Sequence, residues 1–215
     1  MGQRTKCSTL AAGALAALLI FTPKTDAEET SPKQLYLTRT CVACHGKDGA
    51  KAIQNYPHLA GLDQAYLYEQ MKDIADGKRL SGPDARGFPR TQAMKDVMNV
   101  VTDDELKAIA GWLASLPPPP VVKSDADKVA RGTTAYVKSG CVTCHGKDGS
   151  KPLPGYPAVA GQKKEYVLLQ IKEIRDGVRS NGRSKLMTAT VKRVSDDDAE
   201  AIAEYLASTE RPAGK

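Results

Sequence analysis

Cys41-Val-Ala-Cys-His-Gly-Lys-Asp-Gly-Ala-Lys51 returns, at an offset of 100, as Cys141-Val-Thr-Cys-His-Gly-Lys-Asp-Gly-Ser-Lys151. Self-similarity at a fixed offset identifies a repeated unit before any element is assigned. The match runs on downstream: between residues 41–77 and 141–177, 19 of 37 positions are identical, among them Tyr56-Pro57, Ala60-Gly61, Tyr66, Gln70 and Asp76-Gly77. It resumes at an offset of 93, with 10 of 23 identities between residues 94–116 and 187–209. The seven-residue difference falls in one segment, residues 78–93 of the first copy, rich in Gly, Pro and Arg, against 178–186 of the second. Pro117 to Pro120 form a stiff polyproline spacer between the copies. The expected organisation is therefore a first domain at residues 28–116, a proline-rich linker at 117–122 and a second domain at 123–215.

Each copy reads as helical. Ser31 with Pro32 at the first helical position, and Asp125 in the second copy, start helices that lead to the cysteine motif. A middle helix over residues 63–76 places Leu67, Met71 and Ile74 on one face; its counterpart presents Val167, Ile171 and Ile174, with Gly77 and Gly177 as stops. Thr102-Asp-Asp-Glu105 is a capping box opening the last helix, and Ser195-Asp-Asp-Asp198 resembles it. Leu106, Ile109, Ala110 and Leu113 then make an apolar stripe, as do Ala199, Ile202, Ala203 and Leu206. No alternating strand pattern stands out, so the expected fold is all-α in both halves.

Upstream of the repeat, Arg4 and Lys6 precede a 12-residue run from Leu10 to Phe21 interrupted only by Gly13, and Thr25-Asp26-Ala27 follows. This is the layout of a secretory signal, expected at residues 1–27; the run is short of the ~20 residues a membrane helix needs. Cys7 precedes the run, so removal of the signal leaves four of the five cysteines, together with 28 basic and 24 acidic residues. With 41% hydrophobic and 26% charged residues the chain of 215 is globular, yet aromatics are only 5%, a thin supply of bulk for its cores. A formal net charge of +6 suits an acidic partner without the concentrated basic patches of a nucleic-acid binder, so no nucleic acid is expected as a partner.

The chemistry sits in Cys41-x-x-Cys44-His45 and Cys141-x-x-Cys144-His145. Two thiols at this spacing on a helical turn can add across the two vinyl groups of a porphyrin, and the adjacent imidazole then reaches the iron. The competing readings are a zinc site or a redox dithiol. Structural zinc groups four ligands in one small unit, whereas each copy here has a single cysteine pair. Two covalently attached haem c groups, one per copy, are the expected cofactors, with Cys41, Cys44, Cys141 and Cys144 as attachment points and His45 and His145 as axial ligands.

A methionine thioether in the sixth position keeps the iron six-coordinate and raises its potential. Met71 aligns with Ile171 and Met98 with Val191; only Met94 has a methionine counterpart, Met187. A duplicated site should keep duplicated ligands, so Met94 and Met187 are the expected pair. His58, aligned with Ala158, is expected to be a solvated or hydrogen-bonded loop residue. Pro57 and Pro157 can each offer a carbonyl to the free ring nitrogen of His45 and His145, or simply form a turn. Tyr56, Tyr66, Tyr156 and Tyr166 are duplicated too, and serve either the haem or the core.

The tandem CVACHGKDG, YPHLAG and Met94, repeated as CVTCHGKDG, YPAVAG and Met187, resembles the dihaem cytochrome c4 family over nearly all of the chain after the signal. The resemblance implies two tandem cytochrome c-like domains related by pseudo-twofold symmetry, with the haem edges close at the domain interface. It also implies a periplasmic carrier, exported and able to associate peripherally with the inner membrane, that passes electrons from a quinol-cytochrome c reductase-type donor to a terminal oxidase. Dihaem subunits of sulfur-oxidising enzymes, flavocytochrome sulfide dehydrogenase and thiosulfate dehydrogenase, look similar and give the alternative. With no nucleophile-base pair, phosphate loop or separate metal cluster in the sequence, an electron carrier working by outer-sphere transfer is expected rather than a dihaem peroxidase or a thiosulfate-oxidising enzyme.

The charge is uneven. Residues 28–122 hold 11 basic and 12 acidic groups, whereas 123–215 hold 17 and 12. Lys163, Lys164, Arg179, Arg183 and Lys185 are accordingly expected to face an acidic partner.

Overall fold

The computed structural model describes residues 1–2 and 30–212. The expected secretory signal, with Cys7, lies outside the described residues but for its first two positions. Among the described residues there are ten helices and no strand, only an isolated antiparallel bridge between Pro83 and Pro89. No helix there is long and apolar enough to cross a membrane.

The first copy runs through α1 (Pro32–Thr38), α2 (Val42–His45), α3 (Gln64–Ala75), α4 (Gln92–Met98) and α5 (Asp103–Ser115). Its starts follow from side chains that satisfy the orphan amides of the first turn. Ser31 accepts from the Gln34 amide, Asp63 from the Tyr66 amide, and Thr102 and Glu105 form the full capping box. The second copy runs through α6 (Ala126–Lys138), α7 (Val142–His145), α8 (Lys164–Arg175), α9 (Ser184–Val191) and α10 (Asp196–Ser208). Asp125 and Ser195 cap α6 and α10, but Lys163 stands where Asp63 stood, and α8 begins without a side-chain cap. The middle and last helices match the sequence reading closely. The short helices α4 and α9 are not among the elements read from the sequence, because each is only two turns long and has no side-chain cap.

Each copy carries its own core. Tyr36, Leu67, Met71, Met98, Leu106, Ile109 and Leu113 cluster in the first; Tyr136, Val167, Ile171, Val191, Ile202 and Leu206 cluster in the second. The first helix crosses the last in both, through Tyr36 against Trp112 with ring centroids 5.0 Å apart and Tyr136 against Tyr205 at 5.6 Å. In the second copy Gly132 permits the approach, since a Cβ there would strike the Ala201 carbonyl oxygen and lie 2.5 Å from Tyr205 Cβ. The linker is held at both ends: Pro118 packs at Gly61, and the Val122 amide donates to the Ala207 carbonyl at 3.4 Å.

The two copies meet through a polar seam built from duplicated residues. Arg79 donates to Gln70 Oε1 at 3.0 Å, to Tyr166 Oη at 2.6 Å and to Gln170 Oε1 at 3.3 Å. Its equivalent Arg179 donates to Gln170 Oε1 at 2.7 Å and to Gln70 Oε1 at 3.1 Å. The longer loop of the first copy closes the seam from one side. There the buried Glu173 accepts from Arg90 at 2.6 Å and from the Gly82 amide at 2.7 Å.

Candidate haem-binding sites

In each copy the two motif cysteines bracket one turn: Cys41 and Cys141 cap α2 and α7, and Cys44 and Cys144 lie within them. All four thiols are unbridged and half-buried. Burial pushes the Cys41 and Cys141 thiols up to about 11, which keeps both protonated at neutral pH. That is the opposite of a redox dithiol, whose attacking sulfur needs a depressed pKa. The turn stops at Gly46 and Gly146, which take φ values of +77° and +81°; a Cβ on either would collide with the carbonyl of Lys51 or Lys151. Tyr36 and Tyr136 fix the same turns from the core side by donating to the Gly46 and Gly146 carbonyls at 2.6 and 2.9 Å.

His45 and His145 are buried at 6% exposure, so neither is a solvated loop imidazole. His45 Nδ1 is 3.0 Å from the Pro57 carbonyl oxygen and His145 Nδ1 is 2.9 Å from that of Pro157. A carbonyl can only accept, so each Nδ1 carries the ring proton and each Nε2 keeps a free lone pair. Burial holds both imidazoles below their ordinary pKa and therefore neutral. A buried, neutral imidazole with one nitrogen anchored and the other free has the form of a metal ligand. Tyr56 and Tyr156 stand beside these rings, with centroids 6.1 and 6.2 Å away.

Met94 lies in α4 and Met187 in α9; each is half-buried and packs on the cluster that also takes up Cys41 or Cys141. Met71 and Met98 are core residues at 7% and 5% exposure. His58 is a hydrogen-bonded loop residue: its Nδ1 accepts from the Ala52 amide at 3.4 Å, and burial, with Lys163 adding to it, lowers its pKa to about 4.

Tyr66 and Tyr166 belong to the seam, where Arg179 and Arg79 reach them. Of the residues at the seam's centre, the sequence reading takes Gln70 only as a duplicated identity and Arg179 only as a docking cation, and it does not single out Arg79 or Gln170. Their signal was present, since Arg79 and Arg179 are identical just past the end of the longest matched stretch. Among the described residues neither guanidinium is paired with a carboxylate; their partners are amides and phenols. A seam with two such cations fits a prosthetic group that brings carboxylates of its own, as haem does with its propionates. Together with free thiols one turn apart and imidazoles presenting Nε2, the residues present fit one covalently held haem in each copy.

The expected docking face needs correction. Arg179 is buried at 8% exposure in the seam. Lys163 Nζ donates to the Ala52 and Gln54 carbonyls of the first copy, Lys164 pairs with Glu204 at 2.5 Å, and the Arg183 guanidinium covers the Tyr156 ring at 5.0 Å. Four of the five cations thus make contacts within the molecule, although Arg183 stays exposed; Lys185 is exposed without such a contact.

Comparison with known proteins agrees with this construction. The sequence model of the family described as cytochrome c matches residues 32–117 and again 129–210. Cytochrome c4 of Azotobacter vinelandii is 33% identical over 175 residues, covering 77% of this chain and 82% of the relative. The thiosulfate dehydrogenase electron acceptor of Stutzerimonas stutzeri (strain A1501) is 31% identical over 178 residues, covering 78% of each chain. The crystal structure of reduced recombinant cytochrome c4 from Pseudomonas stutzeri superposes with a TM-score of 0.71 at 27% identity, over 83% of this chain and 97% of that one.

Proposed function

Because the chain belongs to the dihaem cytochrome c4 family, and is an electron carrier with two covalently bound haem c groups rather than an enzyme, we propose the ligands, location and partners through which it works. His45 and Met94 would hold the first haem iron when it is bound, and His145 and Met187 the second. The observation that carries this reading is the duplicated histidine geometry: both buried rings give Nδ1–H to a proline carbonyl and leave Nε2 free. Each haem supplies a one-electron centre when bound. The chain's own part is to keep both ligands fixed, so that little reorganises when charge changes, and to exclude water from the ring with its surrounding core. Pro57 and Pro157 orient the imidazoles, and Met94 and Met187 offer soft thioethers from short helices.

The carrier works in the periplasm, exported by its leader, and delivers electrons from a quinol-cytochrome c reductase-type donor to a terminal oxidase. The relative that accepts electrons from thiosulfate dehydrogenase supports a second reading, in which a sulfur-oxidising enzyme is the donor. Anaerobic redox titration of the haem-loaded protein, following the methionine-to-iron band near the red end of the spectrum, tests the ligands. Met94→Ala and Met187→Ala should each remove about half of that band and Met98→Ala none; an intact band in either of the first two variants overturns the assignment. Reduction by thiosulfate dehydrogenase, compared with oxidation by oxidase-containing membranes, separates the two partner readings.

A further inference from the structure

The two histidine anchors look alike from the iron side and differ behind it. The Pro57 carbonyl and the His58 N–H belong to one peptide group. That N–H donates to Gln162 Oε1 of the second copy at 2.8 Å, and Gln162 Nε2 donates back to the His58 carbonyl at 2.9 Å. The same Oε1 accepts from the Lys163 amide at 3.0 Å, and Lys163 Nζ grips the Ala52 and Gln54 carbonyls of the loop leading to Pro57. A continuous line therefore runs from His45 Nδ1–H through the 57–58 peptide to the second copy. Among the described residues no such line runs behind His145. Leu62 occupies the position of Gln162, its side chain is buried in the first core and holds no acceptor, and the Ala158 amide has no hydrogen-bond partner among the described residues.

A hydrogen bond to a peptide N–H shifts electron density toward its carbonyl oxygen, and hydrogen bonds in series strengthen one another by about 10–30% each. A stronger carbonyl acceptor draws further on Nδ1–H, raises the basicity of the ring and favours the more highly charged iron. We propose that Gln162 is a positioning residue for the first iron centre, through which the second domain lowers the first centre's potential and sets the two centres apart. The proposal rests on His45 and His145 being axial ligands.

The test is Gln162→Met, which keeps the volume and removes both hydrogen bonds, in the haem-loaded full chain. Spectroelectrochemical titration, with each wave assigned from the His45 and His145 ring resonances, should show the reduced-to-oxidised ratio of the first centre rising about two- to threefold at fixed potential. That is roughly 18 to 28 mV at 59 mV per tenfold for one electron. The second centre should stay in place, and the Nδ1–H resonance of His45 in the reduced protein should move upfield while that of His145 does not. Gln162→Glu, which retains the acceptor oxygen, should show no such rise. Unmoved potentials, or equal shifts of both centres, overturn the relay. A His45→Ala variant separates the two ideas: an unaltered low-spin spectrum there overturns the ligation itself, whereas a lost ligand beside unmoved Gln162→Met potentials overturns the relay alone.

Discussion

The first and second copies hold the same chemistry in different frames. Cysteine turn, tyrosine-to-glycine bond, histidine-to-proline bond and half-buried methionine recur with distances that agree within a few tenths of an ångström. Around them the copies diverge: α1 is 7 residues against 13 for α6, and α3 is capped by Asp63 where Lys163 precedes α8 without a side-chain cap. The long loop of the first copy reaches across to Glu173, whereas the second copy sends Gln162 and Lys163 back. The two copies share the cysteine and histidine turns and the centre of the seam, and differ at its edges. The seam is thus asymmetric at its edges although its centre, Arg79 and Arg179 with Gln70 and Gln170, is symmetric.

The largest predicted break in this symmetry is at Gly132. Gly132→Ala puts a methyl against the Ala201 carbonyl and Tyr205, where rigid backbone must move, and should cost about 2–3 kcal/mol in chemical denaturation, confined to the second domain. Full retention of stability would show that the α6–α10 crossing is looser than its geometry. Next come the caps. Thr102→Ala removes one side of a reciprocal box whose Glu105 also pairs with Arg39 at 2.5 Å, and Ser195→Ala removes a single bond. Each should cost about 1 kcal/mol, with the first the larger, as read from urea midpoints of the two transitions.

His58 sharpens the comparison through pH. Its folded pKa is lowered, so the neutral form is the one the fold favours; the stability it contributes is present above about pH 6.5 and declines as pH falls toward 4. His58→Ala, which copies Ala158, should flatten the stability-against-pH curve of the first domain in that window and leave the second untouched. The smallest net change is expected for Lys163→Asp, which restores the cap that α3 enjoys but releases the Ala52 and Gln54 carbonyls. Melting temperature should shift by no more than a degree or two, while hydrogen exchange of residues 52–58 rises. Unchanged exchange there would show that the lysine does not hold the loop.

Much of this was legible beforehand. The cysteine-histidine turns, the middle helices, the last helices with their caps, and the pairing of Met94 with Met187 follow from spacings of one to four residues and from one alignment of the chain with itself. The carbonyls of Pro57 and Pro157 were readable because they recur beside recurring histidines. The short helices of Met94 and Met187 were not, since two uncapped turns leave no pattern. The basic face was legible only in part, for another reason: a charge count cannot tell Lys185, which is exposed, from Arg179, which lies buried in the seam.

By itself the sequence determined the unit that repeats, the cysteine pairs that attach a haem, and where most helices begin. These depend on covalent spacing and on hydrogen bonds within a turn, so neighbouring residues suffice to specify them. Tertiary structure alone decided which charges are free, what the guanidiniums of the seam lack, and that Gln162 stands behind His45 whereas the Ala158 amide behind His145 has no partner among the described residues. The Gln162 contact joins side chain and backbone 104 residues apart. Its energy depends on the two copies docking in one register, which local sequence cannot encode.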